Sequence, residues 1–165
     1  MRILTLLSLM LLTACGFHPV YGVNKHTAVG AESKFEQIGI SNIPDREGVY
    51  LRNALIDRLY RNGRPSNIVY NLGISPLRES RRSLDITTGS DTTRAQLKIT
   101  TKMRLTDAET KKVLIDRDLT SIASYNVLGS EFTNKVSEQS TRENILDDLA
   151  RQIEMQISLY FKKDI

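Results

Sequence analysis

Apolar and polar positions change their period along the chain, and each period predicts an element. From Thr92 to Asp107 the alternation is strict. Ala95, Leu97, Ile99, Thr101, Met103 and Leu105 fall on one side, and Arg94, Gln96, Lys98, Thr100, Lys102 and Arg104 on the other. Period two predicts a strand with one buried and one wet face. After a turn at Asp107–Lys111, Lys112–Ala123 returns as an antiparallel strand. Asp116-Arg117-Asp118 puts charge on both of its faces and predicts a bulge there. Phe35–Ile40 reads as a first strand and Asn67–Arg78 as a second, with Tyr70, Leu72 and Ile74 alternating and Pro76 marking an edge or bulge. Arg78–Asp91 is polar with a Gly-Ser turn signal.

Two segments carry the helical period instead. Leu51, Ala54, Leu55 and Leu59 define one apolar face over Arg46–Arg61, with Asp45 as expected N-cap and Asn62-Gly63 as stop. In the last segment Leu146, Leu149, Ala150, Ile153, Ile157 and Tyr160 form a stripe. Ser140-Thr141-Arg142-Glu143 has the capping-box form, so this helix is expected over about Thr141–Lys162, after a connector at Ser124–Ser137. The order is β-α-β-β-β-α. It predicts an α+β two-layer sandwich, a four-stranded mostly antiparallel sheet with both helices on one face. The other sheet face is left for solvent or a partner.

The first residues do not belong to that body. Met1-Arg2 is followed by the apolar run Ile3–Leu12, half the length needed to span a bilayer, and then by Leu12-Thr13-Ala14-Cys15. Branched apolar, small, small, cysteine is the pattern of a bacterial lipobox. The small residues let the backbone lie extended in a protease cleft, and the thiol receives a diacylglyceryl group before cleavage. The plainer reading is a simple signal peptide with an incidental cysteine. Against it, Cys15 stands at the cleavage position and is the single cysteine among 165 residues, where a free exported thiol would be an oxidation liability. The expected organisation is a lipoprotein signal peptide at 1–14, an acylated N-terminus and tether at 15–34, and one domain at 35–165. Diacylglycerol plus an N-acyl group on Cys15 would hold a membrane firmly without a spanning helix. Gly16, in place of the aspartate that retains lipoproteins at the inner membrane, favours the outer membrane. Phe17 and Tyr21, flanking Pro19, would rest at the lipid interface or dock on the domain.

Composition narrows the chemistry. One cysteine excludes an intramolecular disulfide and any multi-cysteine metal site. His18 and His26 both lie in the tether, away from any acid or nucleophile at catalytic spacing, so no catalytic residue, metal or cofactor is expected. Asp116 and Asp118 share a strand face as a paired-carboxylate site would, but salt bridges to Lys98, Lys102 or Arg104 across the hairpin are the simpler reading. Formal net charge is +4. The cations concentrate: Arg94, Lys98, Lys102 and Arg104 on one side of one strand, with Arg78, Arg81 and Arg82 before it. Such a strip reads equally as a phosphate-receiving surface or as a wet face partly neutralised by Asp116 and Asp118. A basic α-β-β-β-α body also has the layout of double-stranded RNA-binding domains, but the export signal and the lack of a lysine-rich opening to the last helix argue against nucleic acid.

Cys15-Gly16-Phe17-His18-Pro19-Val20-Tyr21-Gly22 resembles the C-G-F-x-P-x-Y-G opening of the alphaproteobacterial LptE family, the LPS-assembly lipoproteins. Leu51-Arg52-Asn53-Ala54-Leu55 is similar to that family's first helix, the hairpin leading to Ser124-Tyr125-Asn126 to its central hairpin, and Asp148–Ile153 to its last helix. The resemblance implies a non-catalytic outer-membrane lipoprotein on the periplasmic side. It would sit as plug and assembly partner in the β-barrel LptD, carry lipopolysaccharide to the outer leaflet with it, and bind lipopolysaccharide through basic residues. From the charge strip, Arg81, Arg82, Arg94 and Lys98 are the candidates for that binding. The alternative is a generic periplasm-facing binding or structural lipoprotein without a barrel.

Overall fold

The computed structural model describes residues 34–61, 63–86 and 92–163. The expected signal peptide at 1–14, acylation at Cys15 and the tether up to residue 33, with His18 and His26, lie outside the described residues. Seven elements follow in chain order: β1 Ile38–Ile40, α1 Asp45–Leu59, β2 Tyr70–Ile74, β3 Arg78–Ile86, β4 Thr92–Asp107, β5 Val113–Asn126 and α2 Glu131–Lys163.

The architecture is α+β as expected, but the sheet has five strands, not four, and is mixed rather than mostly antiparallel. β4 is its spine. On one side it pairs with β5 over nearly its whole length. On the other it pairs first with β2, Leu72 opposite Leu105, and then with β3, Ser80 opposite Lys98. β2 and β3 are thus two pieces of one edge, broken at Ser75-Pro76-Leu77. Pro76 has no N–H for a ladder. The break is stitched by the Ser75 N–H to Lys102 O at 2.9 Å and the Thr101 hydroxyl to Ser75 O at 2.8 Å. β1 lies outside β2 and parallel to it, and that parallel pairing requires the α1 crossover between them.

Segment 78–86, expected as polar loop, is therefore a strand. α2 also corrects the sequence reading. It starts at Glu131, ten residues before the expected Thr141, and its 33 residues run about 50 Å. Its true start is Ser130, whose Oγ accepts the Thr133 N–H at 3.4 Å. Ser140 is interior, and Thr141 returns its hydroxyl to Ser137 O at 2.7 Å. At α1 the N-cap position is Pro44, with no side-chain cap, and Asp45 takes a left-handed φ of 68°. The register shift in the β4–β5 hairpin falls between Leu105 and Thr106, making Leu114 the extra residue, not Asp116–Asp118.

The inner face of β4 is buried at Ala95, Leu97, Ile99, Thr101, Met103 and Leu105. It joins Leu51, Leu55 and Leu59 of α1 and Leu146, Leu149, Ile153, Ile157 and Phe161 of α2 in one core. The helices lie side by side on this face, linked by Arg58 and Arg61 to Glu154 at 3.5 and 3.4 Å. Among the described residues, the opposite face of the sheet carries no helix.

Candidate functional site

Alternation along β4 assigns each cation to a face, and register carries the assignment to β3 and β5. Arg94, Gln96, Lys98, Thr100, Lys102 and Arg104 point to the outer face. Arg78, Ser80 and Arg82 stand opposite Thr100, Lys98 and Gln96 and share it. On β5 the outer positions are Asp116, Asp118, Thr120, Ile122 and Ser124.

This face is divided into two halves. In one, Asp116 sits 2.9 Å from Arg104 and 3.3 Å from Lys102, and Asp118 is 3.9 Å from Lys102. Hydrogen bonds from Arg104 and then Lys102 hold the Asp116 carboxyl below its ordinary value. These acids are engaged as counter-ions and make no paired-carboxylate catalytic site. In the other half Lys98 has Ser80 and Ile122 as ladder neighbours, Arg82 has Gln96 and Arg78 has Thr100. Among the described residues the exposed side chains of Arg78, Arg82 and Lys98 form no ion pair. Diagonal neighbours on a sheet lie ~7–8 Å apart, so Arg78 and Arg82 flank Lys98. Arg94 extends the group by one step and stands opposite Asp85 in the ladder. Where the two halves meet, the Pro76 break opens a groove of about 500 Å³ lined by Ser75, Arg78, Thr100, Lys102, Asp118 and Thr120.

Of the four basic candidates, the structure gathers Arg82, Arg94 and Lys98 on the outer face and separates Arg81 from them. Arg81 is an odd position of β3 and turns to the helix side. There it meets Glu138 of α2 at 3.2 Å and lies 5.8 Å from the centre of the Tyr125 ring. The same inner cluster holds Arg142 against Glu79 and Glu138 and takes the Tyr125 hydroxyl to Glu138 at 2.9 Å. Burial, then the bond to Glu138, pushes the Tyr125 phenol up. Arg78 takes the place Arg81 vacates, and the even spacing of Arg78 and Arg82, four apart on one strand face, was the signal for it.

Among the described residues there is no group of three side chains able to hold a metal, and no helix long and apolar enough to cross a membrane.

A family model described as LptE, lipopolysaccharide-assembly, matches residues 35–157. Comparison with curated proteins finds no match. Among solved structures, a minor lipoprotein from Acinetobacter baumannii aligns at 27% identity with a TM-score of 0.62, covering 76% of this chain and 92% of that one. A Caulobacter crescentus chain described as a lipoprotein aligns at 20% identity and TM-score 0.65, covering 82% and 98%. The rare lipoprotein B from Shewanella oneidensis aligns at 12% and 0.58, covering 74% and 92%. The last two share the fold. With the family match spanning most of the described body, the chain belongs to the LptE family of non-enzymatic, cofactor-independent lipopolysaccharide-assembly lipoproteins.

Proposed function

We propose that this lipoprotein, anchored through acylated Cys15 in the outer membrane and facing the periplasm, acts as plug and assembly partner of the β-barrel LptD. In that position it receives lipopolysaccharide on the outer face of its sheet. The observation that carries the ligand side is the division of that face. Asp116 and Asp118 neutralise one half, while Arg78, Arg82 and Lys98 stand exposed and unpaired among the described residues in the other. Arginine guanidinium groups bind phosphate oxygens bidentately, and lipopolysaccharide carries phosphates. The barrel side rests on the family and on surface character. A sheet face that bears hydroxyls and charges, with no helix on it among the described residues, fits a wet barrel lumen, whose lining is polar. Arg81 has a structural duty at Glu138, so the proposed ligand group is Arg78, Arg82, Arg94 and Lys98.

The test is a pull-down from detergent-solubilised outer membranes with the acylated full chain tagged at Ile165. One large barrel at equal stoichiometry is the expected eluate. Its absence from a folded, acylated preparation would overturn the barrel partnership and leave a lipoprotein without a dedicated barrel.

A further inference from the structure

The connector residue Leu128 and the first two turns of α2 carry apolar side chains that nothing among the described residues covers. Phe132 is 77% exposed, Leu128 55% and Val136 53%. By helical phase Phe132 and Val136 continue the stripe that Leu146, Ala150, Ile153 and Ile157 bury further along. The stripe outlasts its cover because α2 starts beyond the ends of β5 and α1. β5 ends at Asn126, and α1 begins beside Gln139, Arg142 and Glu143. The overhang is firmly presented. Asn134 clamps the Leu128 backbone from both sides at 2.7 Å, accepting its N–H and donating to its carbonyl, and Ser130 caps the helix.

The overhang emerges at the end of the sheet nearest the unpaired cations, on the helix side of it, while they stand on the outer face. Arg82 stands opposite Gln96, and Gln96 opposite Ser124 on β5; Asn126 is two residues on and Leu128 two more. At ~4.8 Å between strands and ~3.4 Å per residue, Arg82 and the strand end at Asn126 are on the order of 12 Å apart, and Leu128 follows two residues past that end. One end of the molecule therefore offers cations on a sheet face and, around its rim, a fixed apolar helix face. An amphiphile with anionic groups next to hydrocarbon is complementary to that pairing.

We infer that the Leu128–Phe132–Val136 overhang seats acyl chains of the same phosphoglycolipid whose phosphates the Arg78, Arg82 and Lys98 face receives. This rests on the lipopolysaccharide reading above. It adds that recognition extends to hydrocarbon and is not electrostatic alone.

The experiment uses the acylated full chain in phosphatidylcholine nanodiscs. Purified lipopolysaccharide is compared with the same material after complete deacylation, which keeps the sugar phosphates. Wild type should bind the acylated form about tenfold or more tightly, the scale expected for a few buried methylenes. Phe132→Ser with Val136→Ser should remove most of that preference and leave the deacylated affinity unchanged. Phe132→Leu should retain it. Equal affinities of wild type for both forms, or a serine variant that keeps the preference, would overturn the inference. So would a serine variant that loses affinity for both forms alike. If the serine changes instead weaken association of a Cys15→Ser chain with lipopolysaccharide-free vesicles and spare lipopolysaccharide binding, the overhang is a bilayer contact and the inference fails. Failure of the underlying reading has a different signature. Arg82→Glu with Lys98→Glu would then leave both affinities untouched.

Discussion

Arg142, about a third of the way along α2, reaches across to β3 and holds both carboxylate oxygens of Glu79 at 2.7 Å. Its side chain is only 14% exposed, and it also holds Glu138 at 2.9 Å. With Glu79 as the main partner, the guanidinium is pushed further up and stays charged at any working pH. This is where a strand without an apolar inner face is fastened to the helix. Arg142→Met would leave two carboxylates facing each other half-buried, at a cost of about 2–3 kcal/mol. The matching Glu79→Gln/Arg142→Met double variant should lose less than the sum of its singles, because the groups share one network. Urea unfolding of the three variants measures this. Additive losses would mean that the bridge is a surface pair of no consequence.

The same network explains what the sequence pattern conceals. Arg78-Glu79-Ser80-Arg81-Arg82-Ser83 has no apolar alternation, so it reads as loop. It is a strand because β4 supplies the ladder and α2 supplies ions, not hydrocarbon, to its inner face. The faces of Arg81 and Arg82 followed only once the strand was known. The start of α2 was hidden in a similar way. Its early turns are polar, and Ser140–Glu143 imitates a helix start in mid-helix. The elements that pack apolar faces were legible: α1, β4, the β4–β5 hairpin and the closing stripe. Of the outer-face candidates, Arg94 and Lys98 were placed by strict alternation alone, and so was the neutralisation of Lys102 and Arg104 by Asp116.

Stability should fall on the acid side. For Asp148 burial opposes ionisation, but bonds from Ser121, Gln152 and Arg151 outweigh it and leave the carboxyl below its ordinary 3.8. For Glu138 burial is likewise outweighed, by Tyr125 and Arg142, and its value lies below 4.5. A carboxylate whose folded value is depressed stabilises the fold above its unfolded value and loses that contribution as pH falls through the folded one. Urea midpoints should therefore hold from neutral pH down to about 5 and decline below about 4.5. Asp148→Asn should flatten part of the decline. A midpoint that rises toward pH 3 would contradict this account.

Gly48 is a point where helix propensity gives the wrong sign. In a free helix Gly→Ala is worth about +1 kcal/mol of stability. Here an added Cβ would stand 2.9 Å from the carbonyl carbon and oxygen of Ile43, backbone atoms that cannot swing aside. Gly48→Ala should lower the melting temperature by several degrees, the shift that a net loss of about 1 kcal/mol produces. A higher melting temperature would show that the Ile43 segment moves at little cost.

Cys15→Ala should release the chain from membranes, since a single acylated residue is the proposed anchor. Carbonate-washed membrane fractions report it. A variant still in the pellet without its barrel partner would place the anchor elsewhere.

The divided outer face makes a contrast that separates ligand binding from general charge. Reversing Lys98 and Arg82 to glutamate removes cations that have no acidic partner among the described residues, so lipopolysaccharide affinity should drop tenfold or more, on the order expected for two lost charge-assisted phosphate contacts. Reversing Lys102 and Arg104 changes the net charge equally, yet their attraction is already spent on Asp116 and Asp118. That pair should cost binding less, and mainly at low salt, where long-range attraction operates. It should also carry a stability penalty the first pair lacks, because it leaves Asp116 facing new like charges. Titrations of both variants at low and physiological salt, with urea midpoints beside them, give the comparison. If both pairs weaken binding to the same degree at both salt concentrations, the ligand senses overall charge and the two halves of the face are equivalent.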